Sequence, residues 1–383
     1  MKCISFIFIG LWIIFLGYIN AEDVKVSEKE FQVRTQAQEL SEKGKVPEAI
    51  LLIDEYEKSL KVPMHYILYE YRGSLWALSE KYPFALKDYL KAYRIQKTRE
   101  NISSLGLCYL YMKDYFNAES LFREGMLISD NPINFKKGLL QCFLQQERYR
   151  EGVSLAESLL LESPLDKDLL SLAAQIYRQL GDSDKAWENL KLLHLQGNAS
   201  KKDLDMIFDI ALQKKMHFIA ENIAFEIINR KEEVSMARLT NLVISFLNLN
   251  QTEKAEKWIA IANKQGKTEK LTLYLAESLR KKDPARSLNL IQSIKDLSEM
   301  DGRYYLVLGE LILKNGDHKK ALALYKEAAT FEDYRKPALW QIFSVYRNNK
   351  NNKECHATLL ELQQLDQGNE TIAQLLQFYQ GKE

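Results

Sequence analysis

One small residue recurs along this chain about every 34 positions. Ala49, Ala85, Ala118, Gly152, Ala186, Ala220, Ala255, Ser287, Ala321 and Cys355 are separated by 36, 33, 34, 34, 34, 35, 32, 34 and 34 residues. A fixed period of this length marks a repeat architecture, in which each unit stacks only on its neighbours. Residues 114–125 (DYFNAESLFREG), 181–190 (GDSDKAWENL) and 316–329 (GDHKKALALYKEAA) each show the unit plainly. A polar turn leads to the small residue, and a large apolar residue follows four positions later, on the same helical face. Two antiparallel helices of a short hairpin approach closely only where one presents a small side chain. The ladder therefore predicts about ten helical hairpins, roughly twenty-one helices with a terminal one, and no sheet.

Twelve residues before the ladder a second contact point holds Ala37, Gly73, Gly106, Ala174 and Gly309. Large residues follow three positions later: Leu40, Trp76, Tyr109, Phe143, Tyr177, Phe246 and Tyr346. Ile53, Tyr89, Phe122, Leu190, Ile259, Tyr325 and Leu359 stand four residues after the ladder. Proline placement agrees. Pro47, Pro83 and Pro284 fall near the first position of the second helix, where proline is tolerated. Pro63, Pro132 and Pro164 fall between hairpins, and Pro337 is expected to open the last one, so that no proline is placed mid-helix.

This spacing of small, aromatic and apolar positions resembles the tetratricopeptide repeat family. The resemblance covers roughly residues 30–369. It is strongest over 99–196 and 302–335, and weaker near 201–234, where Phe208 replaces the small residue. It implies an all-α solenoid of about ten antiparallel hairpins wound into a superhelix. Residues 370–383, with Ile372, Leu375, Leu376 and Tyr379 at helical spacing, read as a capping helix over the exposed end. The polar stretch 197–203 holds a helix stop at Gly197 and reads as a hinge between halves or as an ordinary turn between repeats.

In the resembled family the first helix of each hairpin lines a concave face that holds extended peptides or partner helices. Carried onto this chain, the inward positions include Arg34, Gln38, Lys137, Gln141, Gln145, Gln175, Arg178, Gln179, Asp205, Asp209 and Gln213. Lys137, Gln141, Gln145, Gln175, Arg178, Gln179 and Asp209 are the candidate binding residues. The Lys/Asn/Arg set with which some members clamp a peptide carboxylate is not evident.

Residues 1–21 read as an export signal. Lys2 supplies a positive start, Ile4 to Leu16 is nearly unbroken apolar sequence, and Ala21 ends a peptidase-like site. A polar linker, 22–29, follows. The alternative is an uncleaved anchor over 4–19, which is shorter than the roughly 20 residues a spanning helix needs. Cleavage would place the protein in the periplasm or cell envelope, with a membrane role only through that segment. It would leave Cys108, Cys142 and Cys355, an odd number. Cys108 and Cys142 could pair across neighbouring hairpins; buried thiols are the simpler reading.

Lys and Arg total 53 against 52 Asp and Glu, so no broad basic field is available for nucleic acid. The five histidines share no metal-ligand spacing, and no HExxH or CxxC occurs. Gly266-Lys267-Thr268 lacks the glycine a phosphate loop needs five residues earlier, where Ile261 stands. No catalytic site, cofactor or metal is expected. Sequons stand at Asn101, Asn198, Asn250 and Asn369. The expected function is an exported scaffold that binds a protein or peptide. The alternative is an envelope component guiding export of a polysaccharide or polypeptide, which the Gln and Tyr content of the inner face would also suit.

Overall fold

Each 34-residue period folds as a helix, a three-residue turn and a second helix. The computed structural model describes residues 26–266, 268–298 and 300–380; the expected leader and most of the linker lie outside the described residues. These contain twenty-one α-helices and no strand. The chain divides into two compact units between Asn198 and Ala199. In the first, α1 (Glu28–Glu42) pairs with α2 (Val46–Ser59), α3 (Tyr66–Leu78) with α4 (Tyr82–Ile95), and α5 (Arg99–Tyr111) with α6 (Tyr115–Ile128). Then α7 (Ile133–Gln145) pairs with α8 (Tyr149–Glu162) and α9 (Lys167–Gln179) with α10 (Ser183–Leu195). In the second unit α11 (Lys201–Gln213) and α12 (His217–Asn229) pair, followed by α13 (Met236–Asn248) with α14 (Thr252–Ala262). Next come α15 (Glu269–Leu279) with α16 (Pro284–Ser293), α17 (Gly302–Lys314) with α18 (His318–Ala328), and α19 (Glu332–Asn348) with α20 (Asn352–Leu365). A last helix, α21 (Glu370–Tyr379), packs on α20 and buries Ile372 and Tyr379.

The ladder sits at the helix crossings. Nine of its ten members have no exposed surface, and Gly152 is buried. Opposite it, the apolar residue four positions later seats on the residue twelve positions before the ladder. A Cβ added at Gly73 would stand 2.8 Å from the Tyr89 ring, at Gly106 2.8 Å from Phe122, and at Gly309 2.6 Å from Tyr325. Real Cβ atoms do not approach so closely, so an aromatic ring at this site requires glycine beneath it. Hairpins with alanine there carry Ile53 or Leu190 instead. The two with the largest departures reverse the sizes: Leu140 is matched by Ala156, and Phe208 by Ala224, all four fully buried. Phe208 therefore exchanges volume between two registered positions and conserves the packing.

The turns share one backbone solution. The residue after the first helix's cap adopts positive φ, and the next residue's N–H returns to the carbonyl five residues earlier, as in Lys81 to Trp76, Asp114 to Tyr109 and Arg148 to Phe143, all at 2.9 Å. Gly44, Gly181 and Gly316 take that place in three hairpins. In six others it is filled by Glu80, Lys113, Glu147, Lys215, Asn250 and Lys350, with φ of 57°, 63°, 59°, 59°, 57° and 56°. Side chains of Asp114, Asp182, Asp283, Asp317 and Asn351 then cap the second helix.

Pro47, Pro83 and Pro284 stand at the start of second helices. Pro337 does not open its hairpin but lies inside α19, which begins at Glu332. The early turn is held from outside: Tyr334 donates its hydroxyl to Asp301 at 3.1 Å and covers Gly302, while Phe331 lies against the Tyr305 ring. Those contacts hold one extra turn ahead of the proline despite the helix bond it removes. All three cysteines of the described residues are free and buried, so Cys108 and Cys142 do not pair. Asn101 is fully buried and donates to the Gln96 carbonyl at 2.8 Å, so it cannot carry a glycan in the folded chain.

Candidate functional site

Within each unit the first helices of successive hairpins pack on one another: α1–α3–α5–α7–α9 in the first, α11–α13–α15–α17–α19 in the second. Among the described residues the second helices meet no comparable neighbour of their own kind. Each stack is thus tighter on its first-helix side, and that side forms its inner face.

The sequence-derived positions fall on this face in both units. Lys137, Gln141 and Gln145 lie along α7, with Gln175, Arg178 and Gln179 along the adjacent α9; Asp209 belongs to the second unit. Gln145, Arg178 and Gln179 are exposed, and Gln141 and Gln175 half-buried. Lys137 is committed to the next hairpin, with its Nζ 2.7 Å from Asp166 Oδ2 and 3.2 Å from Asp168 Oδ2. Asp209 accepts both Nε and Nη2 of Arg238 at 2.8 Å, and Arg238 also lies 3.2 Å from Asp205. Gln175 donates to Ser171 Oγ at 3.2 Å. Lys137 and Asp209 therefore tie hairpins together, and the exposed Gln145, Arg178 and Gln179 are the reachable part of the set.

A second group on the same face comes from the first three hairpins. Arg34 on α1, Tyr66 and Glu70 on α3, and Glu100 on α5 feel one another's charge. Burial, then the neighbouring Glu100 carboxylate, push Glu70 up to about 7 against the opposing pull of Arg34. Its side chain is partly open to water, yet protein surrounds the carboxylate on nearly every side. Burial first, then Glu70 and Glu100, raise the Tyr66 hydroxyl. Arg34 Nε is buried with no hydrogen-bond partner among the described residues. The register that selects Arg34 and Lys137 also passes through Glu70, fifteen residues before its ladder alanine. That was the available signal.

A different charge cluster lies between the first two hairpins. Arg72, 5 % exposed, donates Nε and Nη2 to Asp88 at 2.8 Å and Nη1 to Asp54 at 2.6 Å, and its Nη1 lies 2.7 Å from Glu57 Oε2. Lys91 and the Tyr69 hydroxyl complete Glu57 at 2.8 and 2.9 Å. Burial raises Glu57, but these partners outweigh it and hold the carboxyl at about 2. Every acid there is answered, so this cluster is structural.

A 34-residue hairpin, a small residue at each crossing and a first-helix inner face together define a tetratricopeptide-repeat protein. No protein-family model matches the chain. It is 22 % identical over 285 residues to BBSome complex member BBS4 of Bos taurus, covering 64 % of this chain and 54 % of that one. The chain thus spans about half the length of the curated relative it matches. Among solved structures it is similar to a tetratricopeptide repeat protein from Parabacteroides merdae, at 17 % identity and TM-score 0.39 over 75 % of this chain and 100 % of that one. It is also similar to the type IV pilus biogenesis factor PilW, at 14 % identity and TM-score 0.47 over 52 % and 93 %. Among the described residues no helix is long and apolar enough to cross a membrane.

Proposed function

We propose that this chain is an exported interaction scaffold whose inner, first-helix face holds a peptide segment of a partner protein. The observation that carries the reading is the packing asymmetry: first helices gather along one face and present Gln145, Arg178 and Gln179 there, exposed. Such a row offers hydrogen bonds to an extended backbone without demanding one ligand charge. Export rests on Lys2, the apolar run to Leu16 and Ala21. Cell fractionation with N-terminal sequencing tests it, and soluble cytoplasmic protein that retains Met1 would overturn it.

The binding face is tested by pull-down from the native host with two variants of the fifth hairpin. Ala186→Leu forces methyl groups into a crossing with no free space, beside Tyr177 and Leu190, and should cost about 1–3 kcal/mol of stability. Arg178→Ala together with Gln179→Ala should leave the fold intact and weaken partner recovery. Undiminished recovery with both side chains removed would shift the site to the outer face or the turns.

A further inference from the structure

We propose that the inner face of the first three hairpins takes a basic side chain, lysine or arginine, of an extended peptide, held by the carboxylates of Glu70 and Glu100 beside Tyr66. The proposal rests on the reading of this face as a peptide-binding surface and names the chemistry one part of it selects.

Glu70 is the exception to a rule the rest of this face obeys. Fifteen residues before its ladder position, Lys137 reaches across to Asp168, eighteen before the next ladder position, and the opposite charges pair. The same two register positions one stage earlier hold Glu70 and Glu100, so a like pair stands where an opposite one is expected. The Glu70 carboxylate makes no hydrogen bond or ion pair among the described residues, and Glu100 has only Arg99, 3.9 Å away. Buried carboxylates without partners are uncommon, because the lost hydration is not replaced.

The charged and titratable groups facing Glu70 are Arg34 from α1, Tyr66 from its own helix, Tyr89 from α4 and Glu100 from α5. Asp54 and Glu57 of α2 are turned to Arg72 instead. Two carboxylates therefore share one guanidinium, whose Nε is itself unpartnered. A bound anion would be a third negative charge around Arg34. A bound ammonium or guanidinium would balance the group, relieve the repulsion of Glu70 and Glu100, and lie near an aromatic ring that favours cations. Since Glu70 titrates near pH 7, its ionised fraction, and with it the affinity, should fall about tenfold from pH 8 to pH 6.

The test is selection of phage-displayed random dodecapeptides on the full chain at pH 8. Recovered sequences are then synthesised with a fluorescein label and titrated by fluorescence polarisation. A basic residue at a fixed place is expected. Its replacement by norleucine should weaken binding about tenfold or more, as should Glu70→Gln in the protein. Glu70→Gln and Glu100→Gln should retain the helical circular dichroism of the parent, and Glu70→Gln should abolish the loss of affinity between pH 8 and pH 6. Peptides that bind the inner face, weakened by Arg178→Ala but indifferent to their own basic residue and to Glu70→Gln, would overturn this proposal and leave the peptide-binding reading standing. No recovered peptide, or peptides insensitive to every inner-face substitution, would overturn both.

Discussion

Glu70→Gln should stabilise this protein above neutral pH and leave it unchanged near pH 5. The Glu70 carboxyl is raised from 4.5 to about 7 in the folded chain. The folded state therefore holds this proton more tightly than the unfolded chain does. The sign follows directly: the stability it contributes is complete at low pH and is lost as pH rises between those values. At about 1.4 kcal/mol per tenfold change, the loss approaches about 3 kcal/mol at pH 8; partial access to water reduces the working expectation to about 1–3 kcal/mol. Glutamine keeps the shape, cannot ionise, and should recover that amount at pH 8 only. Urea midpoints followed by far-ultraviolet circular dichroism at pH 5, 6, 7 and 8 measure it. Hydrogen exchange over residues 66–78 localises it, since a stack of repeats opens piecewise. Glu57 changes in the opposite sense, contributing stability that is lost only as pH falls from 4.5 towards 2, so the chosen window separates the two. A variant less stable than the parent at pH 8 would refute the reasoning, because it would show the carboxylate engaged with Arg34 to net advantage.

Gly106→Ala should cost about 1–3 kcal/mol by driving a methyl group into the Phe122 ring. Adding Phe122→Leu should recover part of it, as the Ala174 and Leu190 pairing already does in the fifth hairpin; a thermal-denaturation double-mutant cycle reads the coupling. Glycine at positions 80, 113 and 147 relieves a left-handed backbone in each turn, and each single change should raise the urea midpoint by the equivalent of about 0.5–1 kcal/mol. Arg72→Met leaves Asp88, 4 % exposed, without its cation and should cost about 3–5 kcal/mol, partly recovered by Asp88→Asn in the same chemical-denaturation assay.

Much of the fold was legible because helix crossings are a local constraint repeated at constant spacing. The ladder, the prolines at the start of second helices and the glycine stop at 197, whose φ is +70°, each needed only a few neighbouring residues to be read. Pro337 was misread because its helix is extended by Phe331 and Tyr334 docking on the preceding hairpin, a contact no local pattern encodes. Phe208 looked like a flaw in the repeat because one position was read alone. Set beside Ala224, sixteen residues on, it becomes a size exchange. The candidate site was legible as a face but not as chemistry: the register found Lys137 and Asp209 without showing that each already has a partner.

Those partners have a period of their own. Lys91 pairs with Glu57, Lys137 with Asp168, Arg238 with Asp209, Lys254 with Glu221 and Arg286 with Glu256, at separations of 34, 31, 29, 33 and 30 residues. Each pair joins one hairpin to the next, so the near balance of 53 basic and 52 acidic residues is in part a polar ladder running beside the small-residue one. Exposed ion pairs of this kind are worth little singly, about 0–1 kcal/mol. Their information lies in the pattern. Once a repeat protein pairs its charges at the repeat spacing, the pair that breaks the pattern is held by something other than its own fold. Glu70 and Glu100, thirty residues apart and of like sign, break it on the face where a ligand would lie.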